Sequence, residues 1–378
     1  MRRLKARFGK AIECSRVCRV VDVDSLATQW QPDLQFLALI RTPSQRALVE
    51  RYQAAGLSNV DWVDAPNLEY GDVVAAVPAR SEVSVLHRES DLHHSLQLTN
   101  RCNSNCLMCS QPPTLQDDAW MVEETLDVVR HLRCAPRVLG LSGGEPLLLG
   151  PQLRAVFDVL SNRFPETRLE LLTNGRLLAH AELSRQLLEG LGASVTWLVP
   201  LYGHADFLHD FVVQAPGAFD ETILGLLNLQ SRRQPVQLRV VLIRPVLEIL
   251  PALCTFIGRN LPFVKEVALM ACEPVGFALA NPELCEVDLL DWKDSLQLAA
   301  RILARHKVPY LFMNAPLCAL PEELRSYAHR SISDWKNVYV ASCDGCEVKP
   351  DCSGFFAWHD RGWKPTRIIQ ILKKEKSE

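Results

Sequence analysis

A chain of 378 residues is long enough for a full α/β core with one or two smaller domains, and 48% hydrophobic with 22% charged residues is ordinary for a soluble protein. A formal net charge of -3 does not point to a generic nucleic-acid binder, and no run approaches the roughly 20 apolar residues of a membrane span. Neither nucleic acid nor membrane is therefore expected as a partner.

The first 19 residues are basic, with Arg2, Arg3, Lys5, Arg7, Lys10, Arg16 and Arg19 against Glu13. They read as a solvated arm, without the apolar stretch of a secretory signal. Residues 45–55 have helical period, and residues 70–77 and 82–86 read as paired strands around a turn at Pro78. Residues 1–94 are expected to form a small N-terminal α+β domain whose role is packing, with substrate capture as the alternative.

From Ser95 to about Met313, short runs of Val, Leu and Ile alternate with longer segments of helical period. The strand candidates are 95–99, 137–142, 168–173, 194–201, 236–243, 264–270 and 308–313. Between them, Leu153, Val156, Phe157 and Leu160 form a helical stripe, as do Leu183, Leu187, Leu188 and Leu191. Two more are Phe219, Ile223, Leu226 and Leu227, and Leu289, Trp292, Leu296, Ala299 and Leu303. All four read as core faces. A repeat of this kind builds a parallel sheet with right-handed crossovers, and its length suits a six-strand partial barrel, (β/α)6, over residues 95–314. The fold class is therefore α/β, with chemistry expected at the carboxyl ends of the strands.

Those ends carry the informative residues. The first strand runs into L-T-N-R-C-N-S-N-C-L-M-C, which places Cys102, Cys106 and Cys109 on one loop. Three thiolates supply one ligand too few for the four irons of a cubane, so one iron would stay open to a small molecule. Zinc, or three unrelated buried thiols, is the plainer reading of the same residues. The second strand runs into Ser142, Gly143, Gly144, Glu145 and Pro146. Glycines there let backbone groups approach a ligand closely, and Glu145 can accept from an ammonium. The third ends at Thr173-Asn174-Gly175, the fourth at Tyr202-Gly203-His204, and the sixth at Cys272-Glu273-Pro274.

The cysteine loop and the G-G-E-P segment, in this order and about one βα unit apart, resemble the signature of the radical S-adenosylmethionine (SAM) enzymes. The resemblance implies a 4Fe-4S cluster on the three cysteines, with the SAM amino and carboxylate groups chelating the open iron. It further implies reductive cleavage to a 5′-deoxyadenosyl radical that takes hydrogen from substrate. It places the G-G-E-P segment at the SAM amino group, Met108 near the adenine and Asn174 near the ribose or carboxylate. For Asn174 a turn role before Gly175 is an equal reading. Arg239 and Arg244 flank the end of the fifth strand, and either could pair with the SAM carboxylate or form an ion pair. His209 and Asp210 read as a helix cap or as groups that orient substrate.

Residues 315–363 are loop-rich and hold Cys318, Cys343, Cys346 and Cys352, the last three spaced C-x2-C-x5-C. Such a cluster staples a region with little core of its own. Four-cysteine zinc is the generic expectation, whereas the resemblance to SPASM and twitch extensions implies an auxiliary iron–sulfur cluster with Cys318 as fourth ligand. Phe355 and Phe356 stand where a fuller SPASM pattern has another cysteine. Cys272 and Cys285 are outside candidates. Cys14, Cys18, Cys134 and Cys254 stand singly, and 373–378 is a charged, frayed tail.

Thirteen cysteines without an export signal argue for a reducing compartment, the cytoplasm. Asp117-Asp118 after the cysteine loop, and S-I-S-D-W-K-N before C-x2-C-x5-C-S-G-F-F, narrow the resemblance to the C-type His-Xaa-Ser system radical SAM maturases, over roughly residues 65–363. The implied substrate is a ribosomally made precursor peptide. The implied partners are a companion radical SAM maturase and an electron donor, a reductase or a flavodoxin or ferredoxin. A radical SAM enzyme of cofactor biosynthesis acting on a small molecule, and a zinc-stapled binding protein without turnover, are the competing readings.

Overall fold

The computed structural model describes residues 2–9, 16–369 and 372–373; Cys14 and the tail beyond Lys373 lie outside them. Contacts divide the chain into two compact units, one of Met1–Leu98, Ala119–Leu139 and Val156–Thr167, the other of Thr99–Asp118, Gly140–Ala155 and Arg168–Glu378.

The first unit holds a seven-stranded mixed sheet. Its strands are β1 (Arg2–Lys5), β2 (Arg7–Phe8), β3 (Arg16–Asp22), β4 (Phe36–Leu39), β5 (Val60–Asp64), β6 (Val73–Val77) and β7 (Glu82–His87), in the order β1-β7-β6-β3-β4-β5-β2. The expected hairpin is present, β6 pairing antiparallel with β7. Both faces of the sheet are covered, because successive side chains point to opposite sides. Val20, Leu37, Leu39, Val63, Val74 and Val85 form one core, and Val21, Phe36, Ala38, Val49 and Trp62 form the other. The helix Pro43–Ala54 supplies Val49, and a capping box between Thr42 and Gln45 starts it.

A second sheet has eight strands. They are β8 (Ser95–Gln97), β9 (Val138–Ser142), β10 (Arg168–Leu172), β11 (Val195–Pro200), β12 (Val236–Leu242), β13 (Glu266–Ala271), β14 (Tyr310–Met313) and β15 (Ala328–His329), neighbours in sequence order. Every pairing from β10 to β15 is parallel. This is the curled parallel wall of a partial barrel, two strands longer than the six expected. A two-residue strand such as β15 carries no periodicity to read.

Helices Pro151–Arg163, Ala181–Leu188, Ala218–Ser231, Arg244–Asn260 and Lys293–Arg305 follow in turn. On β12, Leu238, Val240 and Leu242 are fully buried while Arg239 and Val241 are only partly covered, so the latter pair lies on the opposite face. The helical stripes are core faces except at Leu227. That residue sits one position round from buried Leu226 and is 43% exposed. Among the described residues after β15, regular structure is the antiparallel pair β16 (Asn337–Val338) and β17 (Phe355–Phe356) and the short 3-10 turns Ala341–Cys343 and Lys349–Asp351.

Candidate functional site

Thr99–Asp118, with the cysteine loop, belongs to the second unit. Asp118 receives the Thr99 hydroxyl at 2.7 Å and the Asn100 amide at 2.6 Å, while the Arg101 Nε reaches its other oxygen at 3.0 Å. Burial pushes the Asp118 carboxyl up, but these donors outweigh it and hold the group below the usual carboxylate range. The carbonyls of Thr99 and Arg101 in turn accept the amides of Gly144 and Glu145, both at 2.8 Å. The approach demands glycine. A Cβ on Gly143 would lie 2.4 Å from the Thr99 carbonyl oxygen, and one on Gly144 2.2 Å from that of Arg101.

Further along, the Asn105 and Leu107 amides donate to the carbonyls of Val213 and Val212, at 3.0 and 2.9 Å, at the end of helix Asp206–Val213. The Asn281 side chain holds the Leu107 carbonyl at 2.9 Å, and the Phe277 amide holds that of Cys109 at 2.8 Å. Gly276 permits this contact, since a Cβ there would meet the Cys109 carbonyl oxygen at 2.4 Å.

Arg176 comes from the turn after β10. It donates to the Asn103 carbonyl and, at 3.0 Å, to the Ser104 hydroxyl, while pairing with Glu221 at 2.6 Å. Nothing in its local sequence marks Arg176, because the contact joins residues more than seventy positions apart.

Glu145 is fully buried. Its oxygens accept the Leu147 amide at 2.8 Å, the Thr173 hydroxyl at 2.6 Å and the Asn174 amide at 2.6 Å. Burial drives its carboxyl up, against these three donors. The carboxylate thus ties the end of β9 to the end of β10, a role the expectation of an ammonium contact did not contain. The Asn174 side chain donates to Asn103 at 2.6 Å and accepts the Arg176 amide at 3.1 Å, so its amide holds the cysteine loop and its own turn.

Ser142 ends β9, Pro146 opens the short 3-10 turn behind Glu145, and Met108 is buried within the cysteine loop. Arg239 touches the Met270 sulfur at 3.5 Å, and its buried Nε has no partner. Arg244 turns elsewhere, donating to the Glu283 carbonyl at 3.1 Å. His209 is buried and accepts the Tyr202 amide at 3.2 Å, while Asp210 takes the Gly217 and Phe219 amides at 2.6 and 2.8 Å and so opens the next helix.

The three thiols fit a cluster by donor type and placement. They share one loop, are partly accessible, and face no disulfide partner. Burial raises Cys102 to about 11 and Cys106 to about 12, so they are neutral thiols until a metal displaces their protons. No three His, Cys, Asp or Glu side chains among the described residues converge as ligands of a single ion.

Cys318, Cys343, Cys346 and Cys352 are brought together differently, as walls of one pocket that Tyr339, Lys349 and Phe355 also line. The Leu317 and Gly354 amides point at the Cys352 sulfur at 3.3 and 3.4 Å. Cys272 and Cys285 instead neighbour each other, with the Cys272 sulfur 3.8 Å from the Glu273 carbonyl oxygen and the Cys285 sulfur 3.8 Å from that of Leu107.

Residues 96–248 match the family model of the Radical SAM superfamily, a span holding the cysteine loop, Ser142–Pro146, Asn174 and Arg239. No curated protein matches the chain. Among solved structures it is similar to Streptococcus suis SuiB bound to S-adenosylmethionine, at 12% identity over 58% of this chain and 46% of that one, TM-score 0.43. It is also similar to SuiB bound to precursor peptide SuiA, at 11% identity over 59% and 49%, TM-score 0.46. A radical SAM methyltransferase from Sphaerobacter thermophilus aligns at 14% identity over 64% and 72%, TM-score 0.44. The chain spans about half the length of the SuiB structures it matches. Among the described residues no helix is long and apolar enough to cross a membrane.

Proposed function

We propose that this chain, an enzyme of the radical SAM family whose cofactors are SAM and a 4Fe-4S cluster, modifies a ribosomally made precursor peptide of the His-Xaa-Ser type. Cys102, Cys106 and Cys109 hold the cluster, and Met108, Ser142, Gly143, Gly144, Glu145, Pro146, Asn174 and Arg239 line the SAM site. When bound, this pair supplies a 5′-deoxyadenosyl radical that abstracts hydrogen. The chain's own contribution is placement. The observation that carries the reading is the docking of the Gly144 and Glu145 amides onto the carbonyls of Thr99 and Arg101, which seats the G-G-E segment against the start of the cysteine loop.

Cys318, Cys343, Cys346 and Cys352 hold an auxiliary iron–sulfur cluster. Their shared pocket and the two amides aimed at the Cys352 sulfur support this, since such donors favour a thiolate. Residues 1–94 act as a packing domain, 95–314 as the barrel, 315–363 as the auxiliary region and 364–378 as the tail. The peptide substrate rests on the motif likeness around Asp117-Asp118 and the C-terminal cysteines. A companion maturase, a reductase, flavodoxin or ferredoxin as donor, and a cytoplasmic location complete the proposal.

Anaerobic reconstitution followed by iron and sulfide analysis, then measurement of 5′-deoxyadenosine with reductant, tests it. The yield is expected to change when a His-Xaa-Ser peptide is added, and indifference to peptide would shift the reading to a small-molecule substrate. Replacing Cys102, Cys106 and Cys109 together with Ala is expected to abolish SAM cleavage and leave iron at the C-terminal site. Retained cleavage would refute the assignment.

A further inference from the structure

Asp118 is buried, yet it neither pairs with a buried cation nor caps a helix. The helix Trp120–His131 begins from Ala119 with no side-chain cap. Its two oxygens are instead spent on three consecutive residues, 99–101. A carboxylate has about four lone-pair sites, and the donors here are the Thr99 hydroxyl, the Asn100 and Arg101 amides, and the Arg101 Nε. The Thr99 hydroxyl oxygen also accepts the Arg101 amide at 3.1 Å, which closes the turn on itself. The same three residues offer their carbonyls outward. Thr99 and Arg101 accept Gly144 and Glu145, and Asn100 accepts the Thr114 amide at 3.1 Å.

We propose that Asp118 is a positioning residue for the reaction, fixing the gap between the cysteine loop and the Gly143–Glu145 segment into which SAM must fit. The inference rests on the radical SAM reading of those two segments. Its physical basis is lack of slack. Gly143 and Gly144 pass the Thr99 and Arg101 carbonyls so closely that no Cβ would fit, so a turn released by a few tenths of an ångström moves the segment with it. Cys102 follows Arg101 directly, so the same carboxylate orients the first cluster ligand. Hydrogen-bonded groups behind a metal's own ligands commonly matter this much: their loss costs roughly 10–100-fold in metal affinity or in activity.

The test uses the full chain. In reconstituted Asp118→Asn, iron per chain is expected to match wild type while SAM binds roughly tenfold more weakly, the lower end of that range, with kcat at saturating SAM changed less than KM. Asp118→Ala is expected to go further in the same direction. Thr99→Val, which removes one donor and leaves the carboxylate, is expected to fall between wild type and Asn and stands in if the Ala variant does not fold. In the metal-free protein, amide exchange over residues 143–146 is expected to quicken in Asp118→Asn. Wild-type SAM affinity in both Asp118→Asn and Thr99→Val, or unchanged exchange over 143–146, would overturn the proposal. So would loss of first-site iron in Asp118→Asn, which would assign Asp118 to cluster retention. Wild-type protein that fails to bind SAM would refute the underlying reading instead, which keeps the two failures apart.

Discussion

The two cysteine groups are held in opposite ways. The segment 99–109 hangs from strand and helix ends by hydrogen bonds to Asp118, Val212, Val213, Asn281, Phe277 and Arg176, and its thiols stay partly accessible. The C-terminal group sits among two-residue strands and 3-10 turns, with Cys318 and Cys343 packed as small apolar side chains beside Phe355. On the proposed reading, a scaffold that builds its loop from hydrogen bonds would leave a bound metal free for chemistry, and a segment with so little regular structure would take its order from what its cysteines bind.

The largest expected effects test that contrast directly. Cys352→Ala should open residues 315–369 to proteolysis and lower the melting temperature, whereas Cys106→Ala should end SAM cleavage with little change in either. Limited proteolysis and thermal melting of the two reconstituted variants side by side suffice. Equal loss of stability in both would mean that the first loop also depends on its metal for order.

Legibility in the sequence separates the cysteines from the residues that support them. C-x3-C-x2-C and C-x2-C-x5-C are local spacings, so both cysteine groups stand out in the sequence, and Gly143-Gly144 marks a close backbone approach wherever it occurs after a strand. The supports do not. Arg176 reaches the loop across the fold, Glu145 is consumed by Thr173, Asn174 and Leu147 rather than left facing outward, and the proximity of Cys272 to Cys285 follows from no spacing. The barrel strands from β8 to β13 were readable because long apolar runs recur with helices between them. Strands β3, β4 and β5 carry no signal of this kind, because each is buried on both faces and no alternation announces it.

A middle-sized effect comes from His209, which underpins the first loop and must be neutral to accept the Tyr202 amide. Burial lowers it from 6.5 to about 4. The unfolded chain therefore binds this proton first as pH falls, and the stabilisation present above pH 6.5 is lost progressively towards pH 4, about 3 kcal/mol in all. Denaturant unfolding of the metal-free protein across that window measures it. His209→Asn, which keeps an acceptor and cannot titrate, should flatten this part of the profile. A profile unchanged by the substitution would remove His209 from the scaffold that distinguishes the first loop.

The smallest effect is expected where the C-terminal region does have a protein anchor. Lys336 pairs with Glu273 at 3.0 Å and lies 5.2 and 5.4 Å from the ring centres of Trp335 and Trp358. The pair is partly solvated, with side-chain exposures of 24% and 16%, so water screens much of its attraction. A double-mutant cycle of Lys336→Met and Glu273→Gln should give a coupling of about 1 kcal/mol or less. Methionine keeps the packing on both indoles, so the cycle isolates the charge rather than the bulk. A coupling well above that would mean the arm is held by the protein before any metal arrives, and the contrast between the two cysteine groups would then narrow to one of accessibility alone.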